Sequence, residues 1–191
     1  MSEATQAATR ARNAAPALAQ ASNELRNEAL FAMASALRAH TQGILEANAQ
    51  DYEQARAKGA KESLLDRLML NEDRLASMAD ALVALANLRD PLGRVLEERT
   101  LYNNIQLRRV TVPLGVVAMV YEARPNVTAD AAGICVKSGN AAVLRGGSMA
   151  IHSCNAIADV LRDALETVGL PADCIVPIRS TDRAETDELL S

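Results

Sequence analysis

Residues 114–148 read LGVVAMVYEARPNVTADAAGICVKSGNAAVLRGGS, and this stretch decides the fold. LGVVAMVY, residues 114–121, is an unbroken apolar run of strand length, the pattern of a parallel strand covered on both faces. NVTADAAGICVKS, 126–138, reads as a helix closed by Gly139, and AAVLR, 141–145, as a second strand. Downstream, SMAIHSCNAIADVLRDALETV, 148–168, predicts a long helix stopped by Gly169 and Pro171, and CIVPI, 174–178, a third strand. The order β-α-β-α-β predicts a parallel sheet with right-handed crossovers. Residues 179–191, RSTDRAETDELLS, are expected to begin one more helix. The fold class is thus α/β, a Rossmann-like parallel sheet with flanking helices over residues 113–191.

Upstream the period is helical. Leu25, Ala29, Met33 and Leu37 recur every fourth residue, and Leu75, Met78, Leu82 and Leu85 repeat the stripe after an acidic first turn. A further helix between them ends near Gly59, and Asp90-Pro91-Leu92-Gly93 stops the last, so residues 1–92 form an N-terminal helical region. RVLEERTLYNNIQLRRVTV, from Arg94, carries alternating and β-branched residues on either side of a turn near Asn103 and Asn104. Residues 94–111 therefore read as a two-stranded ribbon. An isolated ribbon is marginal in water, so it is expected to pair elsewhere, with oligomerisation as its role.

Composition narrows the function. The chain of 191 residues is 49% hydrophobic, much of it alanine, but only 2% aromatic, which favours closely packed helices. A net charge of −4 with no basic stripe argues against nucleic acid. The amino terminus carries Glu3 and no apolar leader, and no segment approaches a membrane span, so a cytoplasmic location without membrane contact is expected. Cys135, Cys154 and Cys174 are odd in number and widely spaced, matching small buried hydrophobes better than disulfides or zinc ligands. His40 and His152 have no neighbouring ligand pair, so no metal site is expected. Glu3, Glu97 and Glu98 read as solvated faces.

In an open α/β sheet, ligands bind at the carboxyl ends of the strands. Those ends carry YEARPNVT, RGGS and RSTD. In RGGS, Gly146 and Gly147 are expected to let a ligand approach the backbone, the helix beginning near Ser148 offers unpaired N–H groups, and Arg145 adds a planar cation suited to phosphate. The plain alternative is a strand-to-helix turn with an exposed arginine. Neither G-x-G-x-x-G nor a P-loop is present, so any nucleotide is held differently. In EARPNVT, Pro125 pushes Arg124 toward an extended conformation, and Asn126 or Thr128 is placed as the N-cap of the next helix.

Together, VPLGVVAMVYEARPNVTADAAGICVKSGNAAVLRGGSMAIHS closely resembles the gamma-glutamyl phosphate reductases, a proline-pathway branch of the aldehyde dehydrogenase superfamily. The resemblance extends through ESLLDRL, DPLGRVLEERT and GLP, and so over nearly the whole chain. It implies an aldehyde-dehydrogenase-like cofactor domain, spanning residues 1–191, and NADPH-dependent reduction of L-glutamate 5-phosphate to the 5-semialdehyde. It assigns Arg145, Gly146, Gly147 and Ser148 to the cofactor. Arg145 stands where the superfamily has a ribose-contacting lysine, and Ser148 where it has a glutamate that would repel a 2′-phosphate. Asn126 is the counterpart, chosen on chemistry, of the superfamily's oxyanion asparagine, and Arg124 is then a candidate for the substrate's phosphate or carboxylate. Met149 departs from the family's glutamate at that position. The larger departure is that no cysteine here matches the nucleophile motif, so the cysteine-bearing catalytic domain is expected outside this chain, and the chain by itself is expected to be inactive. A homo-oligomer and association with glutamate 5-kinase are implied. The rival reading is a catalytically silent assembly module.

Overall fold

The computed structural model describes residues 2–190. Its first half is helical, with α1 (Glu3–Gln20), α2 (Asn23–Ala39), α3 (Thr41–Ala57), α4 (Glu62–Leu68) and α5 (Glu72–Ala86). An antiparallel ribbon of β1 (Val95–Thr100) and β2 (Gln106–Val110) follows. The chain then alternates as β3 (Val116–Val120), α6 (Asn126–Lys137), β4 (Ala141–Arg145), α7 (Ile151–Thr167), β5 (Ile175–Pro177) and α8 (Arg183–Leu189).

The three-stranded sheet has the order β3-β4-β5, parallel throughout, with Val116 opposite Ala141, Val120 opposite Arg145 and Ala142 opposite Ile175. Every residue of β4 is buried, because helices cover both faces. On one face lies α1, whose Ala4, Ala7, Ala11 and Ala15 meet Ala141, Val143, Val176 and Ile178. Alanines at this spacing form a narrow stripe that brings the helix close to the sheet. The other face packs on α6 and α7, and beyond them Leu30, Met33, Leu37, Leu75 and Leu82 of α2 and α5 extend the same core. A buried polar tie joins those layers: Arg26 donates to the Lys137 carbonyl at 2.7 Å and to Asp90 at 2.8 Å, while the Lys137 ammonium donates to Asn27 at 2.6 Å and the Ala86 carbonyl at 2.9 Å.

Two expectations change here. The first strand is not covered on both faces: β3 pairs with β4 alone, and its Val120 is 44% exposed. The apolar run in the sequence thus marks a surface left open by the described residues. The helix after RGGS begins as a 3-10 turn, Ser148–Ala150, and becomes α-helical only at Ile151. The sequence reading also did not single out α1, whose Pro16 sits inside the helix, or α4.

The ribbon pairs with itself, Glu98 meeting Arg108 at 3.0 Å across it and Asn104 turning the chain at φ 64°. Leu96, Ile105 and Leu107 are exposed on it. Among the described residues, no helix is long and apolar enough to cross a membrane.

Candidate functional site

The carboxyl ends of β4 and β5 open onto a groove of about 520 Å³, lined by Gln54, Lys58, Ser148, Met149, His152 and Thr181 among others. Its floor is set by an acid the sequence reading passed over. Asp51 of α3 is 2% exposed, and its carboxylate accepts the N–H groups of His152 (3.2 Å) and Ser153 (2.7 Å) and the Ser153 hydroxyl (2.6 Å). The N-terminus of α7, expected to await a ligand anion, is thus neutralised from within the fold, where a buried carboxylate and the partial positive charge of a helix start satisfy each other. Asn48, one turn earlier on α3, donates to Ser153 at 3.0 Å and to the Leu68 carbonyl at 2.9 Å. The signal was present: Ile44, Asn48, Asp51 and Ala55 share one buried helix face, and two of the four are polar.

A second internal carboxylate occupies the end of β5. Glu3, read above as solvated, accepts the N–H groups of Arg179 at 2.6 Å and Ser180 at 2.8 Å. In return Glu185 of α8 accepts the N–H groups that open α1, Glu3 at 3.3 Å and Ala4 at 2.6 Å. Residues 182 apart in sequence lock the two termini of the described fold together, which local patterning does not report.

Arg145 departs from the exposed fork that the sequence suggested. It is 8% exposed and does not line the groove. One Nη donates to the Gly146 carbonyl at 2.6 Å and the other to the carbonyls of Thr181 and Asp182 at 3.3 Å each, while Nε is buried without a partner. The guanidinium therefore ties the RGGS loop to the segment after β5. Ser148 does lie in the groove, exposed. Opposite it, Lys58 at the end of α3 is exposed, with no hydrogen bond or ion pair to its ammonium among the described residues.

The two glycines are explained by packing. A Cβ on Gly146 would stand 2.9 Å from the Cys154 sulfur, and one on Gly147 would stand 3.2 Å from the Glu122 carbonyl carbon and 3.3 Å from the Ala123 nitrogen. Gly147 thus backs onto the loop that carries Arg124 and Asn126.

That loop faces a second groove of about 400 Å³, between α4, α5 and the start of α6, which brings Arg124 and Asn126 together with Arg67, Arg74 and Asp130. Asn126 is not the N-cap. Pro125 holds that position in helical conformation with no side-chain cap, because its ring presets φ, here −57°, for a helix start. Thr128 does not cap either; its hydroxyl pairs with that of Tyr121 at 2.7 Å. Asn126 is exposed, and its amide donates to Asp130 at 3.2 Å, leaving a second N–H free of that bond. Burial raises the Asp130 carboxyl above the ordinary aspartate value, against the opposing pull of the Asn126 hydrogen bond.

The cysteines are all free and buried. Burial pushes the Cys135 thiol up to about 11 and the Cys174 thiol, with help from Asp173, to about 12. Cys154 is raised as well, chiefly by burial, although hydrogen bonds with Thr128 and Tyr121 pull the other way. A thiol protonated in this way is a poor nucleophile near neutral pH.

Comparison with known proteins places these features in a lineage. The model of the aldehyde dehydrogenase family matches residues 1–191. The chain is 48% identical over 182 residues to gamma-glutamyl phosphate reductase 2 of Bacillus licheniformis, and 49% identical over 181 residues to gamma-glutamyl phosphate reductase of Paramagnetospirillum magneticum. Each match covers 95% of this chain and 43% of the relative, so the chain spans less than half the length of these curated proteins. The crystal structure of gamma-glutamyl phosphate reductase from Thermotoga maritima superposes with a TM-score of 0.95 at 38% identity, over 99% of this chain and 46% of that one.

Proposed function

Because the chain belongs to the aldehyde dehydrogenase family, we propose that it is the cofactor-binding part of an NADPH-dependent reductase that converts L-glutamate 5-phosphate to L-glutamate 5-semialdehyde and phosphate, a step of proline biosynthesis. The observation that carries this reading is the 48% identity, sustained over 95% of the chain, to a protein that bears the name of that reductase. The geometry supports it. The groove at the ends of β4 and β5 offers the hydroxyls of Ser148 and Thr181 and the free ammonium of Lys58. Its one buried acid, Asp51, already accepts three hydrogen bonds from the start of α7. That donor set fits a phosphate-bearing nucleotide.

When bound, the reduced nicotinamide supplies hydride to the acyl carbon. The chain's own residues hold and orient. Ser148 leaves room for a 2′-phosphate where an acid would repel it, and Lys58 contributes charge across the groove. Arg145, with Gly146 and Gly147, fixes the loop against which the nucleotide lies. In the second groove Asn126 offers an N–H to the oxygen that becomes negative during attack, and Arg124 receives the phosphate end. The attacking thiol belongs outside the described residues, since the three cysteines here are buried and held protonated. The ribbon, with Leu96, Ile105 and Leu107 exposed, serves assembly into a homo-oligomer. A cytoplasmic enzyme that receives its unstable acyl phosphate from glutamate 5-kinase is the setting this chemistry suits.

Two measurements test the reading. The 191-residue chain should bind NADPH, seen as a change in its fluorescence, yet show no phosphate-dependent oxidation of glutamate 5-semialdehyde. This chain joined to a cysteine-bearing catalytic domain should catalyse that oxidation, and Asn126→Ala there should lower kcat by about a hundred- to a thousandfold. Failure to bind NADPH, or turnover by the short chain that Cys135→Ser or Cys154→Ser abolishes, would overturn it.

A further inference from the structure

The groove between α4, α5 and α6 holds more charge than the acyl-phosphate end requires. Of its three arginines, Arg74 is spent within the fold: it donates to Asp66 at 2.9 Å and to the carbonyls of Asp66 and Met69 at 2.5 and 2.6 Å, fastening α4 to the start of α5. Arg67 and Arg124 are different. Both line the groove, both are exposed, and neither guanidinium makes a hydrogen bond or ion pair among the described residues. Facing the same space is Asp130, half-buried, with no cation beside it and one hydrogen bond, from the Asn126 amide at 3.2 Å. Arg67 and Asp130 have no task in the reading above.

An α-amino acid carrying a phosphorylated side-chain carboxyl presents a carboxylate, an ammonium and a phosphate. The groove presents two unpaired cations, one unpaired carboxylate and a neutral amide donor. Its volume of about 400 Å³ lies within the range of small-molecule sites. Resting on the reductase reading, we propose that this groove reads the zwitterionic head of the substrate: Arg67 takes the α-carboxylate and Asp130 the α-ammonium, leaving Arg124 and Asn126 for the acyl phosphate. Arg67 suits a carboxylate because its planar fork matches two oxygens at once. Asp130 suits an ammonium because its position next to Asn126, one helical turn apart on α6, orients the carboxylate toward the groove. Together they would select an α-amino acid against the corresponding dicarboxylate or amine, without contact to the reacting carbon.

The experiment compares three probes on the 191-residue chain by calorimetric or NMR titration: L-glutamate, glutarate, which lacks the ammonium, and 4-aminobutyrate, which lacks the α-carboxylate. L-glutamate should bind about tenfold more tightly than either analogue, the scale of one charge-assisted contact. Asp130→Asn should abolish the preference over glutarate and keep that over 4-aminobutyrate; Arg67→Gln should do the reverse. Each variant controls for the folding of the other, since a collapsed groove would lose both preferences together. No binding of L-glutamate to the unmodified chain, both preferences surviving in both variants, or both vanishing together in each overturns the assignment. The outcome separates from that of the reductase reading. Turnover of the acyl phosphate by the chain joined to a catalytic domain, with unaltered preferences in the variants, sinks the groove alone. The expected pattern of preferences without turnover sinks the reductase alone.

Discussion

Replacing Gly146 with alanine would place a methyl carbon 2.9 Å from the Cys154 sulfur, 3.3 Å from Cys154 Cβ and 3.5 Å from Tyr121 Cε2. Ordinary contact between carbon and sulfur is close to 4 Å, so about an ångström of overlap must be relieved. Little can move. Cys154 is 4% exposed, and Tyr121 beside it is fixed by its hydrogen bond to Thr128. Overpacking of this kind costs about 1–3 kcal/mol. The opposing gain from stiffening the unfolded chain is about 0.4–1 kcal/mol, because Gly146 is not among the glycines with positive φ and alanine fits its backbone. Gly146→Ala should therefore lose about 1–2 kcal/mol, or roughly 2–8 °C in Tm at this chain length.

The compensating change sharpens the test. Cys154→Ala removes the sulfur and by itself costs about 1 kcal/mol for the small void. The double variant should lose less than the sum of the two, by a coupling of about 1–2 kcal/mol, since the new methyl fills the space that the sulfur left. Urea unfolding of all four proteins, with midpoints compared at equal slope, measures this directly. Strictly additive losses would show that the sulfur is not the obstacle. A neutral Gly146→Ala whose NADPH binding collapses would restore the original idea that the glycine exists for ligand approach.

Other substitutions follow from the same geometry. Asp51→Ala leaves two backbone N–H groups and the Ser153 hydroxyl without their acceptor and should destabilise the chain by about 3–5 kcal/mol, measured by the same unfolding curves; a loss under about 1 kcal/mol would mean that water replaces the carboxylate freely. Lys58→Ala should weaken NADP binding about tenfold and leave NAD binding unchanged, whereas Arg145→Ala, whose fork is engaged with carbonyls, should weaken both alike; equal losses with Lys58→Ala would remove it as the reader of the 2′-phosphate. The hydrogen bond from Arg10, opposed by burial and aided by Arg162, holds the Asp173 carboxyl below the usual aspartate value. Its stabilisation is therefore present above about pH 4 and lost as pH falls through the depressed value. Asp173→Asn should cost no more than about 1 kcal/mol near pH 7, given its partial exposure, and nothing near pH 2; a pH-independent difference would contradict the ion pair.

The strand-helix alternation was legible because each element after residue 113 carries its own local signal: apolar runs for the strands, glycines at positive φ (Gly139 and Gly169) for the helix ends. The fold class followed. What escaped were pairings between distant residues. Local sequence does not report that Cys154 and the Glu122–Ala123 backbone crowd the RGGS glycines, or that Glu3 accepts the N–H groups at the end of β5. Arg145 shows the same limit: its residue type announces an anion site, but its neighbours in space are carbonyls. In the second groove, Arg124 and Asn126 were found through a motif, whereas Arg67 lies on a different helix and comes to line the same groove only in the folded chain.

The internal carboxylates change how the strand ends should be understood. A helix start that must remain vacant until a ligand arrives is an unpaid electrostatic debt in the free protein, and Asp51 settles it for α7 as Glu3 does for the N–H groups after β5. With the His152 and Ser153 N–H groups occupied by Asp51, those donors are closed to an incoming anion. Exposed side chains remain open to one around the two grooves, Ser148, Thr181 and Lys58 on one side and Arg67, Arg124 and Asn126 on the other. The two grooves also lie back to back: a Cβ on Gly147 would stand 3.2 Å from the Glu122 carbonyl carbon and 3.3 Å from the Ala123 nitrogen, so the loop beside Ser148 packs on the loop that carries Arg124. Gly147→Ala must push that backbone, which has no rotamer by which to yield, and so should disturb L-glutamate binding in the second groove more than Gly146→Ala does. Equal effects of the two alanines on that binding would show that the loops move independently.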